Sequence, residues 1–151
     1  YLKFRYLPEE LRLQLITRIS PDIKLDKKSK KMKPRIKKTK FGSITVENEK
    51  YNHDIYISSD GEISKRKKKL SKAIYGTSHT IAEEEIRYIY EEDAEGIIMG
   101  TGQYGIARLS DEAEKFLKNR NCKAMLYPTP AAIEKWNRLD GKYFGLFHIT
   151  C

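Results

Sequence analysis

Cysteine is scarce in this sequence. The 151 residues contain two, Cys122 and Cys151, too few for a disulfide scaffold and too far apart for a metal-ligand pair. A reducing, cytoplasmic location is the expectation. Histidine is almost as rare, at three, and no His, Asp or Glu spacing points to zinc. Neither a metal nor a cofactor is expected. Long apolar runs are also missing: none approaches the roughly 20 residues of a membrane-spanning helix, and the charged early segment contains no signal-peptide core. No transmembrane segment is expected. The first residue is Tyr1, not Met, so residues are expected to precede it.

What the sequence has in excess is positive charge, +9 in all. Its distribution is uneven. Residues 1–40 hold fourteen basic and four acidic side chains, a charge of +10, whereas residues 41–151 hold sixteen basic and seventeen acidic, a charge of −1. A nucleic-acid-binding fold normally carries its basic footprint on the folded body, and here the body is neutral. The charge pattern predicts a basic extension over 1–40 and an α/β domain over 41–151. Within the extension, "PEELRLQLITRIS" (8–20) has a proline and two glutamates at its start and Leu11, Leu15, Ile16 and Ile19 on one face, which predicts a short amphipathic helix. The lysine-rich 24–40 predicts an extended, self-repelling linker.

The body opens with alternating apolar residues, Ile44 and Val46, then Ile55 and Ile57, then Ile63. Turn signals separate them, including Asp60-Gly61, and the pattern predicts a three-strand meander. "KRKKKLSKAIYGTSH" reads as an irregular crossing. Thr80 with Glu83 predicts a capping box, and Ile81, Glu85, Ile86, Tyr88 and Ile89 give the helical period that follows. "GIIM" predicts a central strand covered on both faces. Ser110 caps a second predicted helix, "KAMLY" is a strand, Thr129-Pro130 opens a third helix ending at Gly141, and "KYFGLFHIT" is a last strand. The β-α alternation of the second half predicts a sheet with helices packed on it.

"GIIMGTGQYG" (96–105) contains the spelling Gly-x-Gly-x-x-Gly. Dinucleotide binding requires a helix to start within that motif and a carboxylate about 20 residues on. The first helix signal is Ser110, and the next strand ends at Tyr127-Pro128 without a carboxylate. The glycines are therefore expected to turn a corner after a central strand. A backbone nest for a small anion is the alternative.

Taken together, "FGSITV", "DIYISSDGEI", "YGTSHTIAEEEI", "GIIMGTGQYG" and "GLFHITC" resemble a family of small uncharacterised α/β proteins. That family includes the mitochondrial complex I assembly factor 3 and an adipogenesis-associated domain protein, and "YGTSH…AEEE" resembles its archaeal branch. The resemblance covers about Arg35 to Cys151. It implies a three-layer α/β domain with a central mixed sheet, an N-terminal β-meander, about three helices and a cleft. It brings no established reaction, and the assembly factors among its members imply a non-enzymatic interaction module.

The candidate chemistry is sparse. Thr77, Ser78 and His79 precede a predicted helix start, near the basic run 65–69, and could hold a carboxylate or phosphate. Together with Gly100, Thr101, Gly102 and Tyr104 they form the candidate anion or ligand site of the alternative reading, a small-molecule binder or an enzyme of unknown reaction. His148 and Cys151 are weaker candidates. Residues three apart in a strand face opposite ways, so His148 is badly placed to activate the Cys151 thiol. The basic extension adds a third reading, weak contact with nucleic acid or anionic membrane through residues 24–40. The first expectation remains a protein partner.

Overall fold

The computed structural model describes residues 33–151. The helix expected over 8–20, and the linker up to residue 32, lie outside the described residues. Among those described, no helix is long and apolar enough to cross a membrane.

Three short antiparallel strands come first: β1 (Ile36–Lys40), β2 (Ser43–Val46) and β3 (Glu49–Tyr51), with β2 in the middle. Residues 36–40, which their charge assigns to the linker, are therefore a strand of the domain. Ile36 is fully buried while Lys37 and Lys38 point outward. Lysine density describes where the side chains go and is silent on whether the backbone pairs. β4 (Ile55–Ile57) and β5 (Ile63–Lys65) do not extend this meander as expected. They join a second sheet with β7 (Gly96–Thr101), β9 (Lys123–Tyr127) and β10 (Tyr143–His148), in the order β5-β4-β10-β7-β9. β10 runs parallel to β7 and antiparallel to β4, and β7 runs parallel to β9, so the sheet is mixed.

Both faces of this sheet are buried, and the alternation of side chains explains how. Ile97, Met99, Phe144 and Leu146 point to one face and meet Ile86, Ala113, Phe116 and Leu117. Ile98, Phe147, Ile55 and Ile57 point to the other and meet Ala132, Ile133 and Trp136 together with Ile36, Ile44 and Val46 of the meander. Successive residues of a strand serve opposite layers, which gives the three-layer α/β architecture that the resemblance implies.

Among the described residues there are four helices, where about three are expected. α1 (Lys69–Tyr75) occupies the stretch that reads as an irregular crossing. It shows no apolar periodicity because the residue it buries is Ser71. Thr80 is not a cap: Thr80–Ile81 is a two-residue strand, β6, paired with β8 (Arg108–Leu109). α2 (Glu83–Ile89) starts after Ala82 with no side-chain cap of its own, and the Ala82 amide donates to the Ser71 hydroxyl at 2.9 Å. Ser110 does cap α3 (Asp111–Lys118), accepting from the Ala113 amide at 3.1 Å. α4 (Thr129–Arg138) begins at Thr129 itself and ends before Gly141. The Thr129 hydroxyl accepts from the Gly102 amide at 2.9 Å and donates to the His148 carbonyl, so it clamps two strand ends together.

The glycine loop turns a corner. Gly102 has φ +101°, and the amides around it are engaged by the protein's own backbone. Gln103 N–H donates to the Thr150 carbonyl at 2.7 Å, and Tyr104 and Ile106 N–H donate to the Cys151 carbonyl at 3.3 and 3.2 Å. No helix starts in the loop, and these engaged amides are not available as a phosphate cradle. A methyl group on Gly102 would stand 2.2 Å from the Cys151 carbonyl carbon. Gly102→Ala is expected to lower stability by about 1–3 kcal/mol from backbone strain, with the overlap adding to that, as measured by urea unfolding. A midpoint equal to that of the parent would contradict this account of the loop.

Candidate functional site

The C-terminal end of β10 lies where the sheet changes from parallel to antiparallel pairing, and three polar residues converge there. Asp54 immediately precedes β4, Arg66 immediately follows β5, and His148 is the last residue of β10. Antiparallel pairing of β4 with β5 brings the first two together, since Arg66 N–H donates to the Asp54 carbonyl at 2.9 Å. The pairing of β10 with β4 brings the third.

The Arg66 side chain has no exposure to solvent. Its Nε and Nη2 donate to the two oxygens of Glu85, at 2.8 and 3.0 Å, and Glu85 is itself fully buried on α2. Nη1 donates to Asp54 Oδ2 at 2.8 Å, and Nη2 also donates to the Ser78 carbonyl at 2.7 Å. Tyr56 and Ser71 complete the shell by donating their hydroxyls to Glu85. Among the described residues, no buried side-chain nitrogen or oxygen lacks a partner. Burial alone would lower the Arg66 pKa, but Glu85 and then Asp54 outweigh it and hold the guanidinium above its ordinary value. The Tyr56 phenol is pushed up by burial and by the charge of Glu85.

Asp54 also engages His148, through the same oxygen that meets Arg66. Its Oδ2 accepts from His148 Nδ1 at 2.7 Å and its Oδ1 accepts from the Ile149 amide at 2.9 Å. Burial alone would raise this carboxyl. The bonds from His148, Ile149 and Arg66 prevail, and Asp54 stays below its ordinary value of 3.8. An ionised carboxylate fixes the His148 tautomer, because Nδ1 must carry the proton it donates. Nε2 then faces the Thr150 hydroxyl at 3.2 Å. The His79 ring meets the His148 ring edge-on, centroids 5.4 Å apart.

These residues border a cleft of about 250 Å³. Its walls carry His53, Lys65, Lys68, His79, His148 and Thr150, and the one carboxylate among its lining residues is Asp54.

The structure divides the residues that the sequence singles out. Ser78 and His79 line the cleft. Thr77 lies just behind them, its hydroxyl accepting from the His79 amide at 3.1 Å. Gly100 is within β7 opposite Phe147, and Thr101 is opposite His148 in the same ladder. Gly100, Thr101, Gly102 and Tyr104 are not among the cleft residues, and Tyr104 is 74% exposed beside Phe41. His148 is central to the cleft. The glycine loop engages Cys151 through its carbonyl, and the residue that meets His148 Nε2 is Thr150, two positions along and on the same face of an extended chain. Asp54 and Thr150 carry no site signal in the sequence, and Arg66 is visible only as a member of the basic run 65–69. A signal for the buried network is present in the sequence: Glu85 stands beside Ile86 and Ile89 in a helix that packs on the core, where a buried acid needs a partner.

Residues 36–143 match a family described as a protein of unknown function (DUF498/DUF598). A conserved hypothetical protein of Pyrococcus horikoshii is 30% identical over 78% of this chain and 99% of its own, with a TM-score of 0.73. A second solved protein is 31% identical over the same 78% of this chain and 99% of its own, TM-score 0.68. A Xanthomonas campestris protein, 10% identical over 84% of this chain and 92% of its own, shares the fold with a TM-score of 0.64. No curated protein matches this sequence.

Removing Arg66 leaves two carboxylates without their cation. Arg66→Met is expected to cost about 3–5 kcal/mol, read from urea unfolding. The Asp54 pKa is depressed in the fold, so its contribution is fully present above the unfolded carboxyl value of 3.8. That contribution is lost as pH falls through the lower folded value. Acid unfolding of Asp54→Asn is expected to show a shallower pH dependence over that window than the parent, and equal slopes would contradict this assignment.

Proposed function

The chain belongs to the DUF498/DUF598 family of proteins of unknown function, and from the chemistry of the cleft we propose that it binds a small anion there, a carboxylate or a phosphate. One observation carries this reading. Lys65, Lys68 and three imidazoles, His53, His79 and His148, border the cleft, while its single carboxylate, Asp54, is already held by Arg66, His148 and the Ile149 amide. An entering anion meets cationic and hydrogen-bond-donating groups without an opposing free carboxylate. The position agrees with the tendency of open α/β sheets to bind ligands beyond the carboxyl ends of their strands, where the topology switches.

A second reading, a protein-interaction or assembly module, draws support from the sequence resemblance to assembly factors and from a separate surface. Phe41, Tyr104 and Ile106 are 58%, 74% and 54% exposed, with the rings of Phe41 and Tyr104 6.3 Å apart. Exposed aromatic groups of this kind mark contact surfaces. The free thiols of Cys122 and Cys151 suit a reducing compartment such as the cytoplasm. Contact with nucleic acid or anionic membrane through residues 24–40 stays a third, weaker reading, carried by charge alone.

Two experiments separate the first two readings. In a thermal-shift series, phosphate and small dicarboxylates are expected to raise the melting temperature of the full chain, since a ligand at 100 times its Kd stabilises by about 2.7 kcal/mol. The double variant Lys65→Glu/Lys68→Glu is expected to lose that shift, and a flat series with the parent protein would remove the anion reading. For the module reading, Tyr104→Asp with Ile106→Asp is expected to abolish cross-linking to a defined partner while leaving the phosphate shift unchanged. Undiminished cross-linking would remove this surface from consideration.

A further inference from the structure

The line Asp54–His148–Thr150 has the connectivity of a nucleophile activated by an oriented base. The Asp54 carboxylate is fixed by Arg66 Nη1 and the Ile149 amide, at 2.8 and 2.9 Å. It accepts the Nδ1 proton of His148 at 2.7 Å. In the neutral ring the lone pair is then on Nε2, and the Thr150 hydroxyl lies 3.2 Å from it. His148 is only 4% exposed, whereas Thr150, which borders the cleft, is partly exposed. A carboxylate that sets the tautomer, a ring that takes a proton and a hydroxyl that loses one are the three roles of hydroxyl-based acyl transfer, which are recognised by geometry and not by chain order.

We infer that the cleft is an acyl-transfer site, with Thr150 as nucleophile, His148 as general base and Asp54 as the residue positioning it. The inference rests on the anion reading of the same cleft. The substrate class is an ester or thioester whose remaining part carries a carboxylate or phosphate, held by Lys65 and Lys68. Thr150 Oγ1 forms a bond to the acyl carbon and its proton passes to His148 Nε2. The carbon–oxygen or carbon–sulfur bond to the leaving group breaks, and the alcohol or thiol departs with that proton. Water then attacks the acyl-threonine, giving a proton to Nε2, and the departing Thr150 oxygen recovers it as the free acid leaves. The positive walls of the cleft favour the negative charge that develops on the acyl oxygen.

The test uses mono-p-nitrophenyl succinate, whose acyl part carries a carboxylate, on the full chain, with the site of acylation mapped by mass spectrometry. Thr150 is expected to carry the acyl group, the near-isosteric Thr150→Val to lack it and Thr150→Ser to regain it. In His148→Gln the rate of acylation at residue 150 is expected to fall about 100-fold or more. Thermal melting of each variant checks that it is folded. Unmodified Thr150 in the parent, or equal labelling of residue 150 in folded His148→Gln, would overturn the inference. The phosphate thermal shift of the parent distinguishes the two levels. A retained shift without labelling in the parent removes only the acyl-transfer role, whereas loss of the phosphate shift in the parent itself removes the anion reading beneath it.

Discussion

The Arg66 guanidinium is the constraint on which the rest of the molecule depends. It bonds at once to Glu85 of α2, to Asp54 at the entry to β4 and to the Ser78 carbonyl before β6. Four segments between residues 54 and 85 are thus tied at one buried guanidinium. A planar group with five donors in fixed directions can do this. A lysine in the same place would present one compact charge to acceptors lying in different directions. The arrangement also sets polarity, since one cation shared between two carboxylates leaves Asp54 with capacity to engage His148.

The sheet supplies the geometry and the loops supply the chemistry. β10 lies between an antiparallel and a parallel neighbour, so its last residue emerges beside the start of β4 and the end of β5. The glycine loop after β7 supports this end from the other side, its amides holding the backbone of Thr150 and Cys151. Thr129 adds a clamp between Gly102 and the His148 carbonyl. The motif that spells a cofactor fingerprint therefore acts as a buttress behind the cleft and not as a wall of it.

The strands and faces of the domain are legible in the sequence because burial enforces period two: Ile97 and Met99 against Ile98, and Ile55 with Ile57, are assigned by alternation alone. The Ser110 cap is legible because its partner is local. What local reading misses is set by distant partners. α1 is obscured because it buries a serine whose hydroxyl bonds Glu85 and the Ala82 amide, more than ten residues away. Thr80 looks like a cap, but pairing with β8, nearly thirty residues on, makes it a strand. At the cleft, Ser78, His79 and His148 are visible as candidates, whereas Arg66 is concealed in a lysine run and Asp54 stands unmarked just before β4. Their pairing depends on strand register, which no short window of sequence contains.

The placement of β10 has a consequence for how the chain is assembled. The middle strand of the five-stranded sheet is the last element to be synthesised among the described residues. Until it arrives, β4 and β7 present unpaired inner edges, which are templates for association between nascent chains. Asp54 and His148 are 94 residues apart, so closing the cleft carries a high loop-closure cost. A polypeptide stalled before Tyr143 would contain most of the secondary structure of the domain without its central seam, and would be a substrate for chaperones and proteases.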